Sequence, residues 1–196
     1  MKILAAGGIH GDRGIAKKLA EKARKNKVDL VLLLGDIHGS EMKGDDVIEP
    51  FKKAKQKVVF VPGNWDTSFE ANLLRDFHKI KNLDGYYVTY KGVGIVGIGN
   101  PDFQLELDEK ETFDKLKKNF VRMKPRKRIL ASHFHAAGTK SELSGFEGSS
   151  ALRRAIEEFQ PDLFLSAHIH EAEGLEEKIG RTKVFNVGKK GKVIEV

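Results

Sequence analysis

Short, continuous apolar runs separated by charged segments constrain the fold more than any other feature of this sequence. The run VDLVLLLGD, at residues 28–36, is apolar at nearly every position, as is typical of a strand buried on both faces. Similar runs are KILAAG, KVVFVPGN, RILASH and PDLFLSAHIH. Because parallel strands need long crossover connections, we expect helices between these runs.

The segments between the apolar runs have apolar residues at helical spacing. The first, IAKKLAEKARKN at residues 15–26, follows Asp12, which we interpret as its N-cap. Further helices are predicted around residues 47–54, 69–77, 109–123 and 149–159. Strands that alternate with helices indicate the α/β class, and a length of 196 residues favours a single domain, residues 1–196.

Two other segments have β character. GYYVTYKGVGIVGIGN, at residues 85–100, predicts an antiparallel hairpin that turns near Lys91 and Gly92. Its YYVTY stretch would suit the edge of a homodimer if it is exposed. The glycine-punctuated tail, residues 173–196, predicts a final β-meander.

The formal charge of +7 raises the question of an anionic partner such as nucleic acid. Charged residues make up 32% of the chain, however, and lie mostly in mixed Lys/Glu patches, a composition also found in proteins from hot environments. The one dense basic cluster, RMKPRKR at residues 122–128, has no interleaved aromatic residues on which bases could stack. We therefore interpret it as a solvated helix-to-strand connection, and we do not expect nucleic acid to be a partner.

The absence of cysteine removes disulfides and thiolate metal sites from consideration. The opening MKILAAGG lacks the long apolar core of a secretion signal, so we expect a cytoplasmic protein. No apolar run approaches the length needed to cross a bilayer, and we expect no membrane association.

Polar residues that can bind metal ions follow five of the apolar strands. They are His10, Asp36, Asn64, His133, and the pair His168 and His170. Ligands of open α/β sheets bind beyond the carboxyl ends of the strands, so these separate loops can converge on one site. Each residue alone has an ordinary explanation in a turn, but unrelated structural needs would rarely place all of them just after apolar strands.

These side chains suggest the chemistry of the site. Several imidazoles, one carboxylate and one amide suit zinc, manganese, iron or related divalent ions. On an extended segment, His168 and His170 would point to opposite sides and could serve two adjacent ions with a carboxylate between them. The pattern therefore predicts a two-metal centre, whose typical chemistry is hydrolysis of phosphate esters.

The order of these motifs resembles that of the calcineurin-like metallophosphoesterase family. The family blocks run Asp-x-His, Gly-Asp, Gly-Asn-His-Asp or Glu, His, and Gly-His-x-His, and this chain has GIH, GD, GNWD, SH and AHIH in the same order. The resemblance extends from Gly8 to His170. It implies a four-layer αββα sandwich with two mixed β-sheets, and a phosphomonoester or phosphodiester as substrate.

The resemblance also implies roles for individual residues. Asp36 would bridge two divalent ions, with His10 and His170 on one ion and Asn64, His133 and His168 on the other. Manganese, zinc, iron, nickel and magnesium all remain open as the metal. Asn64, together with Trp65, would also contact the substrate.

Two positions depart from the family pattern. Gly8 stands where the first block has an aspartate, so one metal site loses an anionic ligand. Trp65 stands where the third block has a histidine that helps to protonate the leaving group, and an indole cannot transfer a proton. Asp66 thereby loses the imidazole that its family counterpart would orient. Trp65 could instead stack on an aromatic group of the substrate or serve as a plain core or lid residue.

His135 is the first candidate for a substitute general acid, because it lies two positions after His133. His38 is the second, although both could be ordinary surface or supporting histidines. The sequence thus leaves three functional hypotheses, which are a metal-dependent phosphoesterase, a catalytically silent binding or scaffold module, and a nucleic-acid-processing enzyme. We favour the first.

Overall fold

Two β-sheets form the centre of the molecule in the computed structural model, which describes residues 1–38 and 46–196. The strands are β1 (Lys2–Ala6), β2 (Leu30–Leu34), β3 (Val58–Val61), β4 (Lys81–Asn82), β5 (Tyr87–Tyr90), β6 (Val93–Ile98), β7 (Lys127–Ser132), β8 (Leu163–Ser166), β9 (Glu176–Ile179), β10 (Thr182–Asn186) and β11 (Lys192–Glu195). One sheet has the order β11-β1-β2-β3-β4 and the other has the order β5-β6-β7-β8-β10-β9. Both sheets are mixed, because an otherwise parallel set of strands carries antiparallel edge strands.

Five α-helices cover the outer faces of the sheets in the described part of the chain. They are α1 (Arg13–Lys25), α2 (Glu49–Lys53), α3 (Ser68–His78), α4 (Glu109–Arg122) and α5 (Ser150–Phe159). Side-chain caps mark the starts of four of these five helices, and the side chain of Asp12 accepts a hydrogen bond from the Ile15 amide at the start of α1. Thr67 and Glu70 form a reciprocal capping box at the start of α3.

The apolar residues form three layers of core. The central layer lies between the two sheets and includes Leu32 and Val61 from one sheet and Ile95 and Leu165 from the other. A second layer lies between the first sheet and α1 to α3, and a third lies between the second sheet and α4 and α5. The layers therefore run helix, sheet, sheet, helix, which confirms the predicted αββα sandwich.

The predicted hairpin is confirmed, because β5 pairs antiparallel with β6 across a turn at Lys91 and Gly92.

The prediction of a β-meander in the tail, residues 173–196, is wrong in part. β9 and β10 form an antiparallel pair, but β11 leaves that sheet and pairs with β1 of the other. Local turn signals do not specify the partner of a terminal strand, and here pairing with β1 buries the side chain of Ile194 in the central core. Strand β4 had no clear signal in the sequence because it is only two residues long.

Three other sequence predictions concern the dimer edge, the basic cluster and membrane-spanning helices. Strand β5 is an edge of its sheet, and Tyr86 beside it is 70% exposed, so the homodimer stays a prediction. The basic cluster at residues 122–128 connects α4 to β7, as predicted. Within residues 1–38 and 46–196, no helix combines the length and the apolar character needed to cross a bilayer.

Candidate metal centre

All six predicted ligand residues lie together beyond the carboxyl ends of strands from both sheets. His10 follows β1, Asp36 follows β2 and Asn64 follows β3, while the second sheet contributes the remaining three, His133, His168 and His170, after β7 and β8. Parallel strands end at one edge of a sheet, and the two sheets face each other, so residues from opposite ends of the chain meet in one crevice.

The loops after β1 and β2 are held together by backbone hydrogen bonds. The amide of His10 donates to the Asp36 carbonyl at 2.8 Å, and the amide of Gly8 donates to the Gly35 carbonyl at 3.1 Å. These bonds fix the imidazole of His10 beside the carboxylate of Asp36, whose Oδ2 lies 3.6 Å from His10 Nε2.

Asp66 is a supporting residue whose role the sequence reasoning missed. Its side chain is 1% exposed, and it accepts hydrogen bonds from the backbone amides of Ile37, His38 and Gly63 at 2.8–2.9 Å. The burial of Asp66 would raise its pKa, but these hydrogen bonds and its contact with the His38 ring lower the pKa overall. Asp66 therefore holds the loop that carries Asp36 against the turn after β3. The sequence signal for this role was the position of a carboxylate directly after Gly63, Asn64 and Trp65.

His133 connects the two sheets. Its ring is fully buried, and Nδ1 lies 2.8 Å from the carbonyl oxygen of Leu34. A carbonyl oxygen only accepts, so Nδ1 donates to Leu34, and Nε2 is the nitrogen that faces the crevice. Orientation of a metal-binding imidazole by a backbone carbonyl is a common arrangement in metalloproteins.

Three further ligand atoms surround Nε2 of His133. His133 Nε2 lies 3.0 Å from Asn64 Oδ1, 3.1 Å from His168 Nδ1 and 3.4 Å from Asp36 Oδ1. Bonds of about 2.1 Å at octahedral or tetrahedral angles would place neighbouring ligand atoms about 3.0–3.4 Å apart. The spacing of these atoms therefore fits coordination of one small cation.

A second group of ligands shares the same carboxylate. His10, Asp36 and His170 each offer one ligand atom, and these atoms lie within 4.8 Å of one another. The rings of His10 and His170 meet edge to face with their centroids 5.5 Å apart. Asp36 is thus common to both groups, as the resemblance implies for a bridging carboxylate.

Two imidazoles of the site, those of His10 and His168, favour the neutral form. Burial lowers the pKa of His168 to about 3, and the neighbouring His133, His135 and His170 lower it in the same direction. Burial also lowers the pKa of His10, an effect that Asp36 opposes. The neutral imidazole is the form that binds metal ions, so neither residue needs to release a proton to bind one at neutral pH.

The backbone at the site is strained. His10, Asp36 and His168 have φ angles of 49°, 51° and 63°, in the left-handed region that residues with a side chain rarely adopt. Such conformations cost about 1–2 kcal/mol each and cluster at functional sites.

The prediction that His168 and His170 lie on an extended strand is wrong, because β8 ends at Ser166 and a short 3-10 helix begins at His170. The left-handed turn at His168, rather than strand alternation, directs the two rings to different ligand groups.

Glycine is required at Gly63 because of close contact with the site. A Cβ atom there would lie 2.3 Å from Asp36 Oδ1, which would displace the carboxylate. Gly8 is different, since its Cβ would meet only the tips of two side chains, His170 Nε2 at 3.3 Å and His10 Nε2 at 3.8 Å. A side chain at position 8 would therefore point at the second ligand group, that of His10 and His170.

The remaining candidates lie around the crevice. The amide of Trp65 donates to Asp36 Oδ1 at 3.1 Å, while its indole is 43% exposed and meets Phe103 edge to face.

The two candidates for a substitute general acid are His135 and His38. His135 is fully buried, and its Nε2 lies 3.2 Å from the Phe146 carbonyl. Burial lowers the pKa of His135, which disfavours it as a proton donor; that role stays a prediction. Burial also lowers the pKa of His38, but Asp66 outweighs this effect and the pKa lies above its ordinary value.

Comparisons with solved structures show the same fold at low sequence identity. A Thermus thermophilus protein superposes with a TM-score of 0.77 at 20% identity, covering 96% of this chain and 90% of that one. A dimetal phosphatase from Danio rerio has a TM-score of 0.67 at 13% identity, covering 96% and 88%. A protein described as a novel archaeal phosphodiesterase has a TM-score of 0.57 at 18% identity, covering 96% and 84%.

No curated protein matches the sequence. The profile of the calcineurin-like phosphoesterase family, in contrast, matches residues 1–172. That range includes α1 to α5, strands β1 to β8 and all six residues of the crevice. The chain is a member of the calcineurin-like phosphoesterase family.

Proposed function

We propose that this protein is a metal-dependent hydrolase of phosphomonoesters or phosphodiesters that uses two divalent ions bridged by Asp36. The observation that carries the proposal is the sharing of Asp36 between two ligand groups in a single crevice. An isolated carboxylate that is only 2% exposed is costly, and a pair of cations would compensate its charge.

The residues of the crevice fit such ions. His10 and His170 would hold one ion, Asn64, His133 and His168 would hold the other, and every ligand atom is nitrogen or oxygen. This ligand set is compatible with manganese, zinc, iron, nickel or magnesium. The description of the Danio rerio protein as a dimetal phosphatase supports the same stoichiometry for this fold.

Two bound ions would supply charge stabilisation to phosphate oxygens and would lower the pKa of water at the site. The protein would contribute orientation. The Leu34 carbonyl fixes the His133 ring, and the clamp of Asp66 fixes the loop of Asp36. We propose that Asn64 and the exposed indole of Trp65 contact the substrate at the rim of the crevice.

Asp36→Asn is the direct test of the proposed chemistry. We expect Mn²⁺-loaded protein to hydrolyse p-nitrophenyl phosphate or bis(p-nitrophenyl) phosphate, and the variant to lose about 10³-fold in kcat/KM. The loss follows because metal ions contribute several kcal/mol to transition-state stabilisation and each 1.4 kcal/mol is about tenfold in rate. Release of p-nitrophenolate is measured for each divalent ion.

Asp12→Asn is the matched control, because asparagine caps a helix as well as aspartate and Asp12 only caps α1. Its activity should equal that of the unchanged protein. Retention of activity by Asp36→Asn would show that the assigned centre is not catalytic.

A second candidate function is a catalytically silent binding module. The specific observation in its favour is the pair of substitutions in the crevice, since Gly8 supplies no carboxylate and Trp65 supplies no proton. This alternative predicts that the folded protein, with all its ligand residues in place, hydrolyses no ester with any divalent ion.

A further inference from the structure

A large cleft extends from the candidate metal centre along the second sheet. Its volume is about 880 Å³, and its lining includes His168 and His170 at one end. The rest of the lining comes from Phe134, from Ile169 and Glu171, and from the segments around residues 105–109 and 145–150. A cleft of this size, open to the metal centre, has room for the organic group of a phosphoester.

One wall of the cleft is apolar. Phe146 is 63% exposed, and its ring lies 6.5 Å from the ring of His168. Phe134 stacks on the His168 ring at 4.7 Å, and Leu105 extends the apolar wall with 77% of its surface exposed. An organic group attached to a phosphate at the metal centre would therefore meet an aromatic surface directly beside it.

The remaining charged lining is acidic. Glu106, Glu147 and Glu171 line the cleft, and none of them has a hydrogen bond or an ion pair to another residue in the described part of the chain. Glu109 also lines it, but its carboxylate already accepts hydrogen bonds from Ser149 and Ser150 at the start of α5. Among residues 1–38 and 46–196, no lysine or arginine lines the cleft, although the chain as a whole has a charge of +7.

We propose that this acidic cleft binds the organic group of the substrate and selects an apolar group that carries a positive charge, such as an alkylammonium. The proposal rests on the phosphoesterase function proposed above. Unpaired carboxylates attract an organic cation and repel further anionic groups, and the exposed face of Phe146 favours a cation over an anion. Polyphosphates and nucleic acids, which carry additional negative charge, are disfavoured by the same groups.

Three p-nitrophenyl phosphodiesters with a common leaving group test this preference. Their second ester group is choline, its neutral carbon isostere 3,3-dimethylbutanol, or 3-hydroxypropionate. Because p-nitrophenolate leaves in every case, differences in kcat/KM report recognition of the second group. We expect kcat/KM to fall about tenfold from choline to the neutral isostere and about tenfold again to the carboxylate, as expected for partly solvated charges near 4 Å. Equal values would overturn the proposal.

Variants locate the effect in the cleft. Exchange of Glu147 and Glu171 together for glutamine should bring the choline-to-isostere ratio close to one. Glu195→Gln is a control for loss of a carboxylate away from the cleft, because it removes one negative charge at the opposite end of β1, where Glu195 pairs with Lys2. Phe146→Ala should lower kcat/KM for both esters, and more for the choline ester, because the aromatic face also attracts the cation. An unchanged ratio in the double glutamine variant would also overturn the proposal.

A binding measurement separates this proposal from the proposed catalysis. Benzyltrimethylammonium and benzoate contain no phosphate, so their binding to the protein without added metal can be followed by NMR whether or not the protein turns over esters. We expect the cation to bind with a Kd at least tenfold lower and to shift the amide signals of Phe146, Glu147 and Glu171. Selective binding without turnover would refute only the hydrolase function, whereas turnover with equal binding of both ions would refute only the charge preference.

Discussion

Trp65→His should raise kcat for alkyl phosphates by about 10²-fold, in the lower part of the range of about 10²–10⁴ typical of a positioned general acid. Trp65 occupies the position at which the resembling family carries a histidine, and its backbone amide contacts Asp36. An alkoxide is a poor leaving group that needs a proton, whereas p-nitrophenolate leaves without one. Hydrolysis of p-nitrophenyl phosphate should therefore change much less than hydrolysis of glycerol phosphate.

The indole is easily replaced without disturbing the core. It is 43% exposed and contacts Phe103, which is also exposed, so a smaller imidazole creates no buried cavity. Trp65→Gln is the matched control, since glutamine is polar and flexible but cannot transfer a proton at neutral pH. An equal gain for both substitutions, or an equal gain on both substrates, would refute the assignment of Trp65 as the replaced acid.

Gly8→Asp should tighten binding of the metal ion at His10 and His170 by about 10–100-fold in Kd. A contact to a charged group is worth about 1.5–3 kcal/mol, and each 1.4 kcal/mol is about tenfold in affinity. A Cβ there would lie 3.3 Å from His170 Nε2, so the end of that side chain has to shift slightly to admit the aspartate. Its φ of 68° is one that aspartate tolerates better than most residues.

Gly8→Asn provides the control for this prediction. Asparagine has nearly the same shape and the same tolerance of the left-handed region, but it carries no charge. Calorimetric titration of metal-free protein with Mn²⁺ or Zn²⁺ measures both variants. Equal affinities for Gly8→Asp and Gly8→Asn would show that the missing carboxylate does not limit metal binding.

The sequence predicted the core of the fold because buried strands have a strong signal. Runs such as residues 30–34 are continuously apolar, and the intervening helices start at side chains that cap them, such as Asp12 and Thr67. Convergence of the loops could also be predicted, since the carboxyl ends of parallel strands meet at one edge whatever the connections between them.

Other features depend on tertiary contacts and had no local signal. The partner of β11 is set by the exposed edge of β1 and by burial of Ile194, which turn residues do not encode. The left-handed turn at His168 interrupts an apolar run that otherwise continues to Ile169. The family pattern indicated only that Asp66 loses the imidazole that its counterpart would orient, whereas in the structure its buried carboxylate accepts hydrogen bonds from three backbone amides.

The ligand set therefore contains every histidine ligand that the resemblance implies but few carboxylates. Asp36 is the one carboxylate in either ligand group, among the residues that the structure describes, and four histidines surround it. This composition makes metal affinity, rather than fold, the quantity on which activity would depend. Substitutions that change the charge at position 8 should for this reason have larger effects on metal affinity than substitutions at the rim of the crevice.

Anomalous diffraction from crystals soaked with Mn²⁺ tests the central claim most directly. The account predicts two peaks on either side of Asp36, one beside His10 and His170 and the other beside His133 and His168. A single peak, or peaks only at sites away from Asp36, would contradict the assignment of this crevice as a two-metal centre.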